Sequence, residues 1–194
     1  METQGKLEIE STTQGYEVDF ELDPNQQRVM EELRKGNTMV FAQAPAGTGK
    51  TYVVAAYVSE LYRKIRALQD RELIVITAPT NLAVQNVIKR ICQFEPTIPV
   101  GEMLLLQSAV AEKLYPGEPS EEWQRYKLAN TLKFYQKEEI PEALCSLATR
   151  YIEQRAKRDG RKYKEGRVLM LALKIKKPTI VLGTEPMITN FLMQ

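Results

Sequence analysis

The sequence predicts an α/β fold: a parallel sheet with helices on both faces, incomplete, and interrupted by an inserted helical arm. Three observations carry this. Two compact apolar runs, "TMVFAQA" at Thr38–Ala44 and "ELIVITAP" at Glu72–Pro79, have the length of buried strands. Each leads toward a stretch of helical periodicity, so strand, loop, helix, strand, helix alternate as in a parallel sheet. A third strand signal, "KKPTIVLGTEP", returns only after a long charged stretch from Ser108 to Lys174.

In chain order, "YEVDFEL" alternates Tyr16, Val18, Phe20 and Leu22 with acidic residues, which predicts a short half-buried strand. Asp23 and Pro24 form a helix start, cap plus first-turn proline, and Gly36 ends that helix. After the first buried run comes a glycine-rich loop, then a helix over about Lys50–Leu68. Its apolar face is Val54, Val58, Leu61, Ile65 and Leu68. Beyond the second run, "TNLAVQNVIKRI" predicts an amphipathic helix with Leu82, Val84, Val87, Ile88 and Ile91 inward. The stretch 108–174 predicts helices without a strand, arranged as an inserted hairpin arm, with Ser120 capping the helix that holds Trp123. Thr179–Leu182 then rejoin the sheet. The predicted segments are 1–22 with the short strand, 23–107, the arm 108–175, and the return 176–194.

Composition removes several chemistries. There is no histidine, so histidine acid–base catalysis and Ser–His–Asp mechanisms are excluded from this chain. Cys92 and Cys145 lack metal-ligand spacing, and no apolar run approaches the roughly 20 residues of a membrane span. With no basic-then-apolar leader after Met1, an intracellular location, nuclear or cytoplasmic, is expected. The net charge of +2 hides an asymmetry. Residues 1–35 hold four basic and nine acidic side chains, whereas 147–177 hold eleven basic and three acidic. The second segment has the charge to face phosphates, or to form a solvated helix face.

The loop "APAGTGKT" fits the phosphate-binding pattern G-x-x-x-x-G-K-[ST] except that Ala44 replaces its first glycine. Such loops turn backbone N–H groups toward phosphate oxygens at a helix N-terminus. Ala44, Pro45, Ala46, Gly47, Thr48, Gly49, Lys50 and Thr51 are the candidate nucleotide contacts. Lys50 would reach the β- and γ-phosphates, and the Thr51 hydroxyl would hold Mg²⁺; these two are the candidate catalytic side chains. Alanine at position 44 is tolerated where its φ is negative, since positive φ costs an alanine about a kcal/mol or more.

Taken in order, "LDPNQQRVMEEL", "APAGTGKTYVVA", "VITAPTNLAVQNVIKRI" and "PTIVLGTEPM" resemble the first RecA-like domain of superfamily 1 helicases. The resemblance is to the group of the nonsense-mediated-decay helicase and senataxin, and it implies a P-loop NTPase (RecA-like) fold. It further implies ATP and Mg²⁺ as cofactors and single-stranded RNA or DNA as partner. Leu22, Asp23 and Gln26 match that group's motif ahead of the loop, so the resemblance makes Gln26 the adenine reader, with Gln27 a weaker candidate. It places Thr80, Asn81 and Thr184 along the nucleic-acid backbone; Thr80 and Asn81 also suit a helix cap. The helical arm matches the group's stalk helices. Gln85 departs from the group, which carries Asp there.

A strand ending in Asp-Glu, which in the family holds Mg²⁺ and aligns the attacking water, is expected after Thr184 and is not found. The chain therefore reads as about half of one motor domain, binding ATP without efficient turnover. Its open sheet edge calls for the remainder of the helicase or a protein partner. A non-catalytic helicase-like module is the alternative. A small P-loop kinase is a third reading, in which Arg155, Arg158, Arg161 and Arg167 imitate a lid but "TAPTNLAV" has no role.

Overall fold

The computed structural model describes residues 20–114, 116–118, 120–135, 142–157 and 177–192. Its centre is a small open sheet of three parallel strands, β1 (Ile74–Ala78), β2 (Met103–Leu106) and β3 (Ile180–Thr184), in the order β1-β3-β2. Register pairs Ile74 with Ile180 and Ala78 with Thr184 on one side of β3, and Met103 with Ile180 on the other. Helices flank the sheet, consistent with a RecA-like P-loop fold.

Strand alternation explains the two-sided core. Ile180, Leu182, Met103 and Leu105 face one way and join Ala55, Val58, Tyr62, Val84, Ile88 and Ile91 of helices α2 (Lys50–Leu68) and α3 (Asn81–Phe94). Val181, Leu104 and Leu106 face the other way and meet Leu128, Leu132, Ala148, Tyr151 and Ile188. Those partners lie on α5 (Leu128–Tyr135), α6 (Glu142–Lys157) and α7 (Glu185–Leu192). All four β2 residues are buried because both faces of that strand are covered. Strand β2 is not among the predicted elements, although the four-residue apolar run Met103–Leu106 close to Gly101 is the signal for one.

Helix α1 (Pro24–Arg34) begins at the predicted cap. The Asp23 carboxylate accepts from the N–H groups of Asn25 at 2.8 Å and Gln26 at 3.0 Å, and Gln26 returns a bond to the Asp23 N–H. Gly36, at φ 70°, follows the cap residue Lys35 and turns the chain away.

Several expectations are corrected. Thr38–Ala44 forms no strand: Met39 is 68% and Phe41 89% exposed, because none of the three strands supplies this run with a hydrogen-bonded ladder. Only part of the expected strand at 16–22 is described. Phe20–Leu22 are irregular there, with the Phe20 ring 4.8 Å from that of Phe94. Along α2 the buried face is rotated from the predicted one. Val58 and Ile65 are buried as predicted, but Val54 and Leu68 are exposed, and Ala55, Ala56 and Tyr62 are buried beside them. The helix is gripped by α1 and α3 at once, and small alanines let both approach. Leu82, predicted inward, is exposed in the first turn of α3. Strand β1 is an edge with Val75 exposed, not a buried strand.

Within the predicted arm, Ser108 caps a short helix, α4 (Ala109–Leu114), accepting from Ala111 N–H at 3.1 Å. Ser120 does not cap. A 3-10 turn spans Glu122–Tyr126 and follows Glu121, whose carboxylate accepts instead from Glu118 N–H and pairs with Lys89. Trp123 and Tyr126 belong to the α2/α3 side of the core, and the Tyr126 hydroxyl donates to the Ile98 carbonyl at 2.7 Å. Helices α5 and α6 pack on each other and on the sheet, so this part of the arm is a layer of the domain. The kinase reading's Arg158, Arg161 and Arg167, and most of the basic cluster, lie outside the described residues.

Candidate nucleotide-binding loop

Residues Ala44–Gly49 pass from the irregular run into the first turn of α2. Two glycines make the turn, with φ 82° at Gly47 and 80° at Gly49, a region that residues with a Cβ avoid. At Gly49 a Cβ would also collide with the Gln26 side-chain amide. Ala44 is not in the left-handed region. Among the described residues, positive φ outside glycine occurs only at Gln69 and Lys177, so alanine at the loop's first position carries no such strain.

The loop closes on itself. The Thr48 hydroxyl donates to the Pro45 carbonyl at 2.9 Å. The Lys50 ammonium donates to the carbonyls of Ala44 at 2.8 Å and Pro45 at 2.6 Å. Gly49 is the N-cap of α2 and offers no side chain to the first-turn N–H groups of this 19-residue helix. Backbone donors, a positive helix end and a lysine are thus gathered at one exposed point, which is what an anion needs. The fit to a nucleotide polyphosphate is good: the backbone of Gly47–Lys50 and the Lys50 ammonium would hold phosphate oxygens. Thr51, exposed in the first turn of α2, would hold Mg²⁺, whose charge would offset that of the phosphates.

Gln26 reaches this loop from α1. Its Nε2 donates to the Thr48 carbonyl at 3.1 Å while its Oε1 accepts from Asp23 N–H at 3.1 Å. Gln27 turns away, donating to the Leu22 carbonyl. Beside the loop, the Tyr52 ring meets Phe94 edge-on at 5.1 Å, and the Arg90 guanidinium lies 5.4 Å over Tyr52. Sequence reasoning missed this cluster. Its only signal was an aromatic directly after the motif, which spacing does not distinguish from a core residue.

Thr80, Asn81 and Thr184 form a second group. Thr80 is the N-cap of α3, its hydroxyl accepting from Ala83 N–H at 3.1 Å, and Asn81 is the first helical residue. Thr184 ends β3 directly across from Ala78, two residues before Thr80. These three therefore share the C-terminal edge of the sheet. They do not join the loop. Tyr52 packs at Phe94, the far end of the 14-residue α3, which is about 20 Å long. Because Thr38–Ala44 is not seated in the sheet, no strand carries the loop to that edge.

Among the described residues no group of three or more His, Cys, Asp or Glu side chains is placed to hold a metal. None of the three strands ends in Asp-Glu; their last residues are Ala78, Leu106 and Thr184. No described helix is long and apolar enough to cross a membrane.

Comparison with known proteins agrees with the loop. The family model AAA_11, described as an AAA domain, matches residues 21–172, and this domain occurs in superfamily 1 helicases. No curated protein and no solved structure matches the chain.

Proposed function

Since the chain belongs to the AAA domain family AAA_11 and carries a helicase-like P-loop NTPase domain, we propose that it binds MgATP at Ala44–Thr51. We further propose that, in a superfamily 1 helicase, it couples this binding to single-stranded RNA or DNA. The carrying observation is the loop itself. Two left-handed glycines lead into an α2 N-terminus without a side-chain cap, and Lys50 is folded over the loop's first carbonyls. Phosphate oxygens would replace those carbonyls as partners of the Lys50 ammonium, a charge-assisted exchange that favours the bound state. Thr80, Asn81 and Thr184 would hold the nucleic-acid backbone by hydrogen bonds that position a strand without reading its bases.

Turnover needs a carboxylate to align water, and no described strand ends in one. This domain on its own is therefore proposed to bind ATP without efficient hydrolysis. The same observation supports a second reading, a non-catalytic helicase-like binding module. Titration with MgATP should give saturable binding that Lys50→Ala reduces at least tenfold; absence of saturation removes the reading. Phosphate release abolished by Lys50→Ala would instead show that this chain hydrolyses ATP unaided.

A further inference from the structure

We infer that Arg90 of α3 is a second cation of the nucleotide site, held over Tyr52 so that its guanidinium meets polyphosphate at the first turn of α2. This rests on the nucleotide-site reading above. Tyr52 directly follows Thr51, and its Cβ lies 3.9 Å from where a Cβ on Gly49 would sit. Its ring therefore stands beside the last turn of the loop. The Arg90 guanidinium lies 5.4 Å from the centre of that ring. Phe94 meets the same ring edge-on at 5.1 Å, and Phe20 lies against Phe94 at 4.8 Å. Phe20 and Phe94 in turn pack on Met30, Val53 and Ala56, so the platform under Arg90 is anchored in the core between α1 and α2.

Contact with a ring face leaves the N–H groups at the rim of a guanidinium available. Arg90 is exposed, and among the described residues it has no carboxylate partner and donates no hydrogen bond. Its neighbour Lys89, by contrast, pairs with Glu121. Arg90 stands near a helix end that already carries partial positive charge and the Lys50 ammonium, and the first turn of α2 holds no acidic residue. Like charges gathered there repel one another until an anion joins them. A triphosphate is that anion, since its negative charge exceeds what one Mg²⁺ and Lys50 offset together. A guanidinium also suits phosphate oxygens, which it can hold through two parallel N–H bonds. A nucleic-acid backbone fits less well, because Thr80 and Asn81 lie at the opposite end of α3.

The test uses the full chain with Mg²⁺ and three probes: ATP, inorganic tripolyphosphate and a single-stranded oligonucleotide. Arg90→Met keeps an unbranched side chain over Tyr52 but removes the charge. It should weaken ATP and tripolyphosphate alike, about five- to tenfold at low salt, with the deficit shrinking as salt rises. Arg90→Lys, which keeps the charge without the planar fork, should recover part of the loss. Equal affinity of Arg90→Met and the unsubstituted chain for both phosphate probes overturns the inference. So does a loss confined to ATP, which would turn the guanidinium toward the nucleoside, or one confined to the oligonucleotide. A loss that salt leaves unchanged marks a packing effect and overturns it too. If the unsubstituted chain binds neither ATP nor tripolyphosphate, the nucleotide-site reading falls and takes this inference with it. Binding without an Arg90 effect removes the inference alone.

Discussion

The Arg34 guanidinium grips Glu60 with two nitrogens, Nε at 2.9 Å and Nη2 at 2.8 Å, and so fastens α1 to α2. The helix that carries Gln26 and the helix that begins at Lys50 are held as one body. The Glu60 side chain is only 11% exposed, so removing its partner leaves a carboxylate without adequate water. Arg34→Leu is expected to cost about 1–3 kcal/mol of unfolding free energy in urea with unchanged slope. Replacing both residues by leucine should recover part of that loss. A single-variant cost under about 0.5 kcal/mol would class the pair with ordinary surface ion pairs.

Gly49 is a loop position that requires glycine, and Ala44 is one that does not. Gly49→Ala meets both a φ of 80° and the Gln26 amide. It should lower stability by about 1–2 kcal/mol and weaken MgATP binding more than tenfold. Ala44→Gly, which restores the usual motif, should leave affinity within about twofold, because Ala44 already has an allowed φ. Calorimetric titration of both variants checks the pair. A large gain from Ala44→Gly would mean the first position is strained when nucleotide is bound.

What the sequence disclosed depended on range. Local features were legible: the Asp23 cap, the bounds of α2, the Thr80 helix start and the β3 run all follow from patterns within a few residues. Features set by packing were not. The buried face of α2 turned because periodicity counts large apolar residues, whereas Ala55 and Ala56 are where α1 and α3 come close. The run Thr38–Ala44 shows the limit most clearly. Its composition specifies a strand, but a strand exists only where a neighbour offers a ladder, and none of the three does. That single difference also separates the loop from Thr80 and Thr184.

Alkaline pH should unfold the domain through its buried phenols and thiol. Burial pushes the Cys92 thiol up to about 12 and, outweighing the Arg125 guanidinium, the Tyr126 phenol up to about 12. Burial and then the Glu102 carboxylate also raise Tyr62, which donates to Glu102 at 2.7 Å. A group with a raised folded pKa keeps its proton better in the folded state. Its contribution is complete below the unfolded pKa and is lost as pH climbs toward the folded one. Through these groups stability should hold to about pH 8.5 and fall between about 9 and 12. Cys92→Ala with Tyr126→Phe should flatten the fall in urea melts at stepped pH. An unchanged slope would assign the alkaline transition to other groups.

Thr80 carries two proposed roles that one substitution can separate. As N-cap of α3 it needs only an acceptor oxygen toward Ala83 N–H, and aspartate supplies one at least as well. As a contact to a nucleic-acid backbone it needs a neutral donor, and aspartate would place negative charge against phosphate. Thr80→Asp should therefore keep the melting temperature within about 2 °C, since a preserved cap changes stability by well under 1 kcal/mol. It should weaken binding of a single-stranded oligonucleotide about tenfold or more at low salt, with the deficit shrinking as salt screens the added charge. Thr80→Ala gives the opposite signature, a melting loss of several degrees for roughly 1 kcal/mol of cap, with a smaller change in binding. Equal affinity for Thr80→Asp and the unsubstituted chain would confine Thr80 to the cap and leave any contact to the nucleic-acid backbone to Asn81 and Thr184.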